Sequence, residues 1–368
     1  MKQMKQKVIA LIWFVLLCAL TGYAQSSVVA KRADIRAHMR QVAAWQLKNP
    51  KHELTDWTNG AFYAGLFAAY ETTKDPELLA ALLDMGERNQ WQPGRRYDHA
   101  DDIAISQTYI DLYRLKKERR MIQPTIDAIR RVAQEPGPEI AKHGLTWWWC
   151  DALFMAPPTL AKLGVTEADP AYFALNDKLF QQTYELLYNR EEHLWARDEA
   201  YLWNDKGEGK RESNGKKIFW SRGNGWVAGG LVRLLKELPK NYPRREFYLT
   251  IYRQMMERVV SLQQSDGLWR SSLLNPEAYP GGEASGSGFY CYALAWGVNN
   301  KILDQQKYLP ALRRAWAGLN TLVAPEGRVG WVQPIGADPR RNFSAESWEV
   351  YGAGAFLLAG SEVIKLKK

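Results

Sequence analysis

Two kinds of helical segment alternate along this chain. One kind has apolar residues at helical spacing and charged residues on the opposite face, which predicts helices half exposed to solvent. These segments are 33–48, 76–89, 124–134, 171–189, 244–264 and 305–322. The other kind is apolar nearly all round and predicts buried helices. Those segments are 61–70, 103–113, 152–163, 227–238, 289–302 and 350–364. The repeated alternation predicts an all-α (α/α)6 barrel, a toroid of six helical hairpins with one buried helix in each.

The connections agree with one continuous barrel. No Gly/Ser/Pro-rich linker or low-complexity tract divides the chain, so we expect residues 25–368 to form a single domain. Pro157 and Pro158 fall inside the third buried segment, where they should kink or restart the helix. The charged, Gly-containing stretch 197–217 is expected to form a loop or short hairpin over one mouth of the barrel.

Polar and aromatic residues precede each buried segment. They form six groups rich in Trp, Asp, Glu, Arg and Asn, at 56–60, 98–102, 147–151, 220–226, 283–287 and 346–349. If the six inner helices run parallel, all six groups meet at one end of the barrel. Such a mouth would be concave and lined by aromatic faces and carboxylates, as a sugar-binding site requires.

The first 24 residues resemble a secretory signal peptide. Three lysines within the first seven residues precede the apolar run 8–20, and Gly22 and Ala24 provide small residues before a cleavage site after Ala24. The run is too short to favour a membrane span. Leu17, before Cys18, is bulkier than a lipoprotein signal usually has there. We therefore expect export, with the periplasm as the destination, and no stable insertion in the membrane.

Charge and cysteine content exclude several other classes. The formal net charge of +9 falls by three when the signal lysines leave, and no basic stripe with interleaved aromatics suggests nucleic acid. The modest surplus fits an acidic substrate. Cys150 and Cys291 lie in apolar helical stretches and are expected as buried free thiols. No His/Asp/Cys set has metal-ligand spacing, so neither a metal nor another cofactor is predicted.

Asp151 is the strongest catalytic candidate. It follows three tryptophans and precedes an apolar helix, surroundings that raise the pKa of a carboxyl and let it donate a proton near neutral pH. The alternative is an ordinary helix N-cap. Asp101 and Asp102 offer a second carboxylate, although acids at a helix start also serve capping and the helix dipole. His99 beside them is expected to be structural or to contact the substrate.

Substrate contacts are expected from the other groups. Arg222 lies in the segment 220–226 (WSRGNGW), where its planar fork suits a carboxylate, although it could instead cap a neighbouring helix or pair with Asp151. The aromatic candidates are Trp57, Trp149, Trp220 and Trp226, and Asn59 accompanies Trp57. For each tryptophan the alternative is simple filling of the barrel core.

Four segments together resemble glycoside hydrolase family 105. They are 149–155 (WCDALFM), 220–226 (WSRGNGW), 285–289 (SGSGF) and 292–297 (YALAWG). This family comprises the unsaturated rhamnogalacturonyl hydrolases and is related to the unsaturated glucuronyl hydrolases of family 88. The resemblance covers nearly the whole chain after the signal peptide, and it implies the same (α/α)6 barrel.

The resemblance also implies an unusual hydrolysis. The family's substrates end in a uronic acid whose C4=C5 double bond was left by a polysaccharide lyase. The aspartate that matches Asp151 protonates C4 and helps water to add at C5, and the resulting hemiketal opens and breaks the glycosidic bond without a covalent intermediate or a metal. A second aspartate falls in the Asp101–Asp102 pair, with a slight preference for Asp102. Arg222 matches the position near the uronate carboxylate, with Trp149, Trp220 and Trp226 as walls.

One position departs from the family pattern. Where better-known members have a histidine after the fourth outer helix, this chain has Arg197, with His193 just upstream. A changed contact there points to a different sugar or linkage.

The sequence therefore predicts an exported hydrolase that removes Δ4,5-unsaturated uronic acid from lyase products of pectin, ulvan or a similar acidic glycan. Two alternatives stay open. One is a conventional inverting glycosidase that uses Asp151 with Asp101 or Asp102 as acid and base. The other is a carbohydrate-binding barrel without catalytic activity.

Overall fold

The computed structural model describes residues 31–135, 137–204, 206–340 and 342–367, so the predicted signal peptide lies outside the described residues. In chain order the helices are α1 (Arg32–Lys48), α2 (Trp57–Thr73), α3 (Pro76–Arg88), α4 (Ala100–Ile103), α5 (Ser106–Lys116), α6 (Gln123–Gln134), α7 (Pro138–His143), α8 (Ala152–Met155), α9 (Pro157–Thr166), α10 (Ala171–Leu187), α11 (Ser221–Glu237), α12 (Arg245–Ser261), α13 (Ala284–Asn299), α14 (Gln305–Thr321) and α15 (Val350–Val363). A two-stranded antiparallel ribbon, β1 (Tyr188–Asn189) and β2 (Leu194–Trp195), follows α10. Short 3-10 turns occur at Arg119–Met121, Glu199–Tyr201 and Pro276–Ala278.

The inner helices form a closed ring. Helix α2 packs against α5, α5 against α9, α9 against α11, α11 against α13, α13 against α15, and α15 returns to α2. Every residue of α15 is buried, as is nearly all of α11 and α13. The helices α1, α3, α6, α10, α12 and α14 lie outside this ring and bury only one face. The predicted (α/α)6 barrel is confirmed. The segments with one apolar face form the outer layer, and the segments that are apolar nearly all round form the inner ring.

Glycines let the inner helices approach closely where the ring closes. A Cβ atom on Gly354 of α15 would lie 2.5 Å from the carbonyl oxygen of Ala61 in α2, and a Cβ on Gly65 would overlap the backbone of Gly354. No larger residue fits at either position without separating the two helices.

Two inner helices are broken. The third is interrupted at Ala156, immediately before Pro157, as the two prolines predicted. The second is interrupted between Ile103 and Ser106, although no Pro or Gly marks the place. There Ala104 packs against Gly60 at the start of α2, where even a Cβ atom would come within 2.7 Å of the Ala104 Cβ.

Buried ion pairs fasten the end of the barrel opposite the polar groups. The Lys162 ammonium of α9 lies 2.5 Å from Asp111 of α5 and 3.0 Å from Glu237 of α11, and Arg114 lies 2.9 Å from Glu237. Burial opposes ionisation of Glu237, but Lys162 and Arg114 outweigh it and lower the pKa of Glu237 to about 2. This network ties three consecutive inner helices together.

None of the helices in the described parts of the chain is both long and apolar enough to cross a membrane.

Candidate active site

The six polar groups meet at one mouth of the barrel, as predicted. The Trp57 ring, at the start of α2, lies 5.8 Å from Trp226 of α11 and 5.4 Å from Tyr351 of α15. Asp56 caps α2 by accepting the N–H of Thr58, and Glu283 caps α13 by accepting the N–H groups of Ser285 and Gly286. Residues far apart in sequence are thereby brought around one opening.

Asp151 is a buried carboxyl that does not act as a helix cap. It occupies the N-cap position of α8, but its side chain accepts no N–H from that helix. Its Oδ1 accepts a hydrogen bond from the Cys150 thiol at 3.3 Å, and its Oδ2 lies 4.0 Å from Nε of Arg197. Burial raises the pKa of Asp151, and Arg197 opposes this rise. The capping alternative therefore does not account for Asp151.

The two adjacent acids have different surroundings. The Asp102 carboxylate accepts the backbone N–H of Arg96 at 2.8 Å and the Arg96 guanidinium at 3.0 Å and 2.5 Å. Asp101 faces Asp151 instead, and burial together with the negative charge of Asp151 raises the pKa of Asp101 to about 8. The slight preference for Asp102 as the second carboxylate finds no support in this geometry, because Asp102 is held in an ion pair and Asp101 is the acid beside Asp151.

His99 caps α4, the short helix that carries Asp101. Its Nδ1 accepts the backbone N–H of Asp101 at 3.3 Å, which caps α4, and its ring centre lies 4.6 Å from that of Trp149. Burial and the nearby Arg96 lower the pKa of His99 to about 4. His99 is therefore neutral at physiological pH and keeps a lone pair on Nδ1 for the cap.

Arg222 is fully buried, and its two Nη groups donate to backbone carbonyls while its Nε has no partner among the described residues. Its Nη1 donates to the carbonyl of Gln333 at 2.5 Å and its Nη2 to that of Pro334 at 2.9 Å. Trp220 and Tyr351 lie on its faces, with ring centres 4.4 Å and 4.9 Å from the guanidinium carbon. The charge of Arg222 lowers the pKa of Asp151, although no ion pair joins the two side chains, and binding of a uronate carboxylate by Arg222 stays a prediction. The side chain also fixes the loop that carries Gln333.

Most of the tryptophans that were predicted to line the site are buried by neighbouring side chains. Trp226 is fully buried between Phe154 and Phe289, and Trp220 donates its indole N–H to Gln333 at 2.7 Å. Trp149 retains only 3 % exposure, and the Asn59 amide donates to backbone carbonyls of the preceding loop. Among the predicted aromatic contacts, Trp57 is the one that keeps a partly exposed ring.

Trp148 is a partly exposed aromatic ring that the sequence did not single out, and His143 stacks on it with 4.0 Å between the ring centres. The Trp148 indole donates to Glu139 at 2.7 Å, and its ring lies 4.8 Å from Trp149. The only available signal was its position within the run 147–149, which does not distinguish the exposed member from the buried ones.

Arg197 places a cation beside Asp151. Its Nη1 lies 2.5 Å from Asp198, its guanidinium sits over the Trp148 ring at 5.4 Å, and its buried Nε donates to no described group. The stretch that follows it lies over the mouth, as predicted, where Tyr201 contacts Asp338 and Glu212 contacts Tyr279. Among the described residues, Arg197 is thus the cation that lies within 4.0 Å of the Asp151 carboxylate.

An open cleft of about 560 Å³ lies beside Asp101. Its lining includes Trp57, Asp101 and Asp102 together with Arg95 and Arg96. Within the described ranges, no three His, Cys, Asp or Glu side chains are arranged to hold a metal ion. The arrangement combines a buried acid, a neighbouring acid that holds its proton, a cation and an aromatic face, which suits proton transfer to a bound sugar.

Comparison with known proteins gives consistent matches. The model of "Glycosyl Hydrolase Family 88" matches residues 29–367. An "Unsaturated 3S-rhamnoglycuronyl hydrolase" of Formosa agariphila is 46 % identical over 96 % of this chain and 97 % of its own length, and one of an Alteromonas species is 33 % identical over 84 % and 77 %. A solved structure titled "Glycosyl hydrolase family 88 from Bacteroides vulgatus" superposes with a TM-score of 0.83 at 28 % identity, covering 91 % of this chain and 99 % of that one. The resemblance noted in the sequence is confirmed.

Proposed function

Because the chain belongs to Glycosyl Hydrolase Family 88 and is a glycosidase of the unsaturated uronyl hydrolase type, we propose that Asp151 is its catalytic acid and base. In this reaction Asp151 gives its proton to C4 of the unsaturated uronic acid, and positive charge develops at C5 and the ring oxygen. Water adds at C5 and returns a proton to the Asp151 carboxylate. The resulting hemiketal opens, and the glycosidic bond breaks with release of the next sugar.

The observation that carries this proposal is the environment of Asp151. A buried carboxyl with a raised pKa keeps its proton at higher pH than an exposed one and can deliver it to a weakly basic carbon. Arg197, 4.0 Å away, stabilises the carboxylate that remains after delivery. The same group can then accept the proton of water.

Asp101 is the second participant in this proposal. With its pKa raised to about 8, its carboxyl is protonated at neutral pH and can donate a hydrogen bond to a sugar hydroxyl or to the attacking water. A carboxylate in the same place would repel both Asp151 and an anionic substrate. Asp102 acts through its ion pair with Arg96, which fixes the loop before α4.

Arg197 holds the uronate carboxylate. Arg222 is fully buried with both Nη groups committed to backbone carbonyls, whereas Arg197 keeps 19 % side-chain exposure and commits only Nη1, to Asp198; the Nε of each arginine has no partner among the described residues. The Arg197 guanidinium stacks over Trp148, which orients the planar fork toward the space beside Asp151. This assignment accounts for the departure from the family pattern at this position.

The substrate follows from the same assignment and from the relatives. The two relatives described above are each named "Unsaturated 3S-rhamnoglycuronyl hydrolase", and we take 3S to denote a sulfate ester on C3 of rhamnose. We therefore propose a lyase product in which the unsaturated uronic acid is joined to 3-sulfated rhamnose, as in ulvan, in preference to a pectin fragment. Export to the periplasm, inferred from the lysines, apolar run and small residues of segment 1–24, would bring the enzyme to such oligosaccharides.

The test follows the absorbance of the conjugated enol ether, which hydration removes. Asp151→Asn should retain the fold, shown by an unchanged circular dichroism spectrum, and lose activity by about 10²–10⁴-fold. The matched control is Asp84→Asn on the exposed face of α3, which should leave activity unchanged. Full activity of Asp151→Asn would overturn the acid/base role. Cleavage of a saturated analogue at a comparable rate would favour the conventional glycosidase, and binding without any turnover would favour the silent barrel.

A further inference from the structure

The cleft beside Asp101 contains a cation that has no partner among the described residues. Resting on the function proposed above, we propose that Arg95 binds an anionic sulfate ester on the sugar that follows the unsaturated uronic acid. Arg95 would thereby determine the preference between sulfated and unsulfated substrates.

The position of Arg95 fits the sugar beyond the scissile bond. Asp101 and Asp102 line the same 560 Å³ cleft as Arg95, and α4, which carries both acids, packs against α8, whose N-cap residue is Asp151. A substrate whose unsaturated ring lies at Asp151 therefore extends past Asp101 into the space that Arg95 borders. Trp57, also in the lining, offers a partly exposed ring on which a sugar can rest.

The other charges of this cleft are largely committed. Arg96 is paired with Asp102, with 2.5 Å between Nη2 and Oδ1. Asp56 accepts the N–H of Thr58 as the cap of α2, and His52 lies 2.7 Å from Glu349. Arg95 is exposed and makes no hydrogen bond or ion pair with any residue in the described ranges. It is therefore the cation of the cleft that remains available to a ligand.

Glu53 supplies an opposing charge in the same lining. Its exposed carboxylate disfavours an anion, so attraction by Arg95 must outweigh it for a sulfated sugar to be preferred. This gives the two residues opposite predicted effects. A guanidinium can donate two parallel N–H groups to a sulfate, and this geometry adds specificity to the charge attraction.

The experiment compares two unsaturated disaccharides that differ only in the sulfate on C3 of rhamnose. We expect the wild-type enzyme to prefer the sulfated disaccharide. Arg95→Gln should lower kcat/KM for the sulfated disaccharide on the order of ten-fold, through a higher KM, and leave kcat/KM for the unsulfated disaccharide unchanged. Arg95→Lys should retain part of the preference, and Glu53→Gln should increase it. Because Arg95 is exposed, the preference should also shrink as salt is raised. Arg253→Gln, which removes an exposed arginine on α12, is the control for general loss of charge.

The outcomes separate this inference from the proposed function. If the wild-type enzyme consumes both disaccharides equally, or if Arg95→Gln lowers both rates equally, the sulfate assignment is wrong while the hydrolase activity stands. If neither disaccharide loses its enol-ether absorbance, the proposed function fails instead. Calorimetric binding of the two disaccharides then tests Arg95 independently of turnover, and equal affinities for them would overturn the assignment.

Discussion

Replacing Asp101 by Asn should make the protein more stable at neutral pH. The folded protein raises the pKa of Asp101 from its usual value near 3.8 to about 8, through burial and the charge of Asp151. Between these two values the native state holds a proton that the unfolded chain has released. Stability therefore falls as pH rises through this window, and the cost is complete above about pH 8. Asparagine has the same shape and never ionises, so it escapes this cost.

The size of the effect follows from the width of the window. Each pH unit between the unfolded and folded pKa values of Asp101 lowers the free energy of unfolding by about 1.4 kcal/mol. At pH 7 the loss of stability therefore reaches about 4 kcal/mol as an upper limit. Because the Asp101 side chain keeps 19 % of its exposure, we expect solvent screening to reduce the observed gain to about 2 kcal/mol. A gain of this size raises the melting temperature by a few degrees.

The assay is thermal and urea unfolding of the wild-type protein and Asp101→Asn between pH 4 and pH 9. The two should unfold alike near pH 4, and the variant should become progressively more stable as pH increases. Asp102→Asn is the control on the neighbouring residue, and it should destabilise the protein because it breaks the ion pair with Arg96. A difference between wild type and Asp101→Asn that is independent of pH, or a gain in stability for Asp102→Asn, would refute the reasoning.

Three further outcomes are expected. Asp101→Asn should retain the fall of kcat/KM at basic pH in a pH–rate profile, because the negative charge of Asp151 raises the pKa of Asp101 and Asp151 therefore loses its proton first; loss of that fall in the variant would assign it to Asp101. Arg197→Gln should raise KM for the unsaturated uronic acid and move the basic limb set by Asp151 to higher pH, because Arg197 holds the pKa of Asp151 down; an unmoved limb would contradict the coupling. Gly354→Ala should destabilise the barrel by about 2–3 kcal/mol, measured as a lower urea midpoint, since its Cβ meets the backbone of α2; an unchanged midpoint would show that α2 and α15 can separate freely.

The barrel could be predicted from the sequence because its two layers differ in composition. An outer helix such as α12 shows a single apolar face, whereas α15 is apolar all round, and this contrast follows directly from burial on one side or on all sides. The break between α4 and α5 could not be predicted in the same way. At the break Ala104 packs against Gly60, which lies far earlier in the chain, and the broken segment itself contains no Pro or Gly.

The residue types of the site were also predictable, but their orientation was not. Asp101 and Asp102 are adjacent and chemically identical in sequence, and only the folded loop shows that Arg96 takes one of them. Likewise Arg222 and Arg197 carry the same side chain, and the sequence matched only Arg222 to the uronate carboxylate. The structure commits the first to backbone carbonyls and places the second beside Asp151, a distinction that depends on residues more than 100 positions away, such as Gln333.

The contact between α2 and α15 also determines at what stage of its synthesis the protein can become active. These two helices are the first and last of the inner ring, and the stack of Trp57 on Tyr351 joins them directly at the mouth. A chain still attached to the ribosome already contains Asp101 and Asp151, yet it lacks the helix that closes the ring around them. Such long-range closure comes late in folding. Activity therefore requires completion of synthesis. A product truncated before Val350 would lack α15, leave the ring of inner helices open with its apolar surface exposed, and have no hydrolase activity.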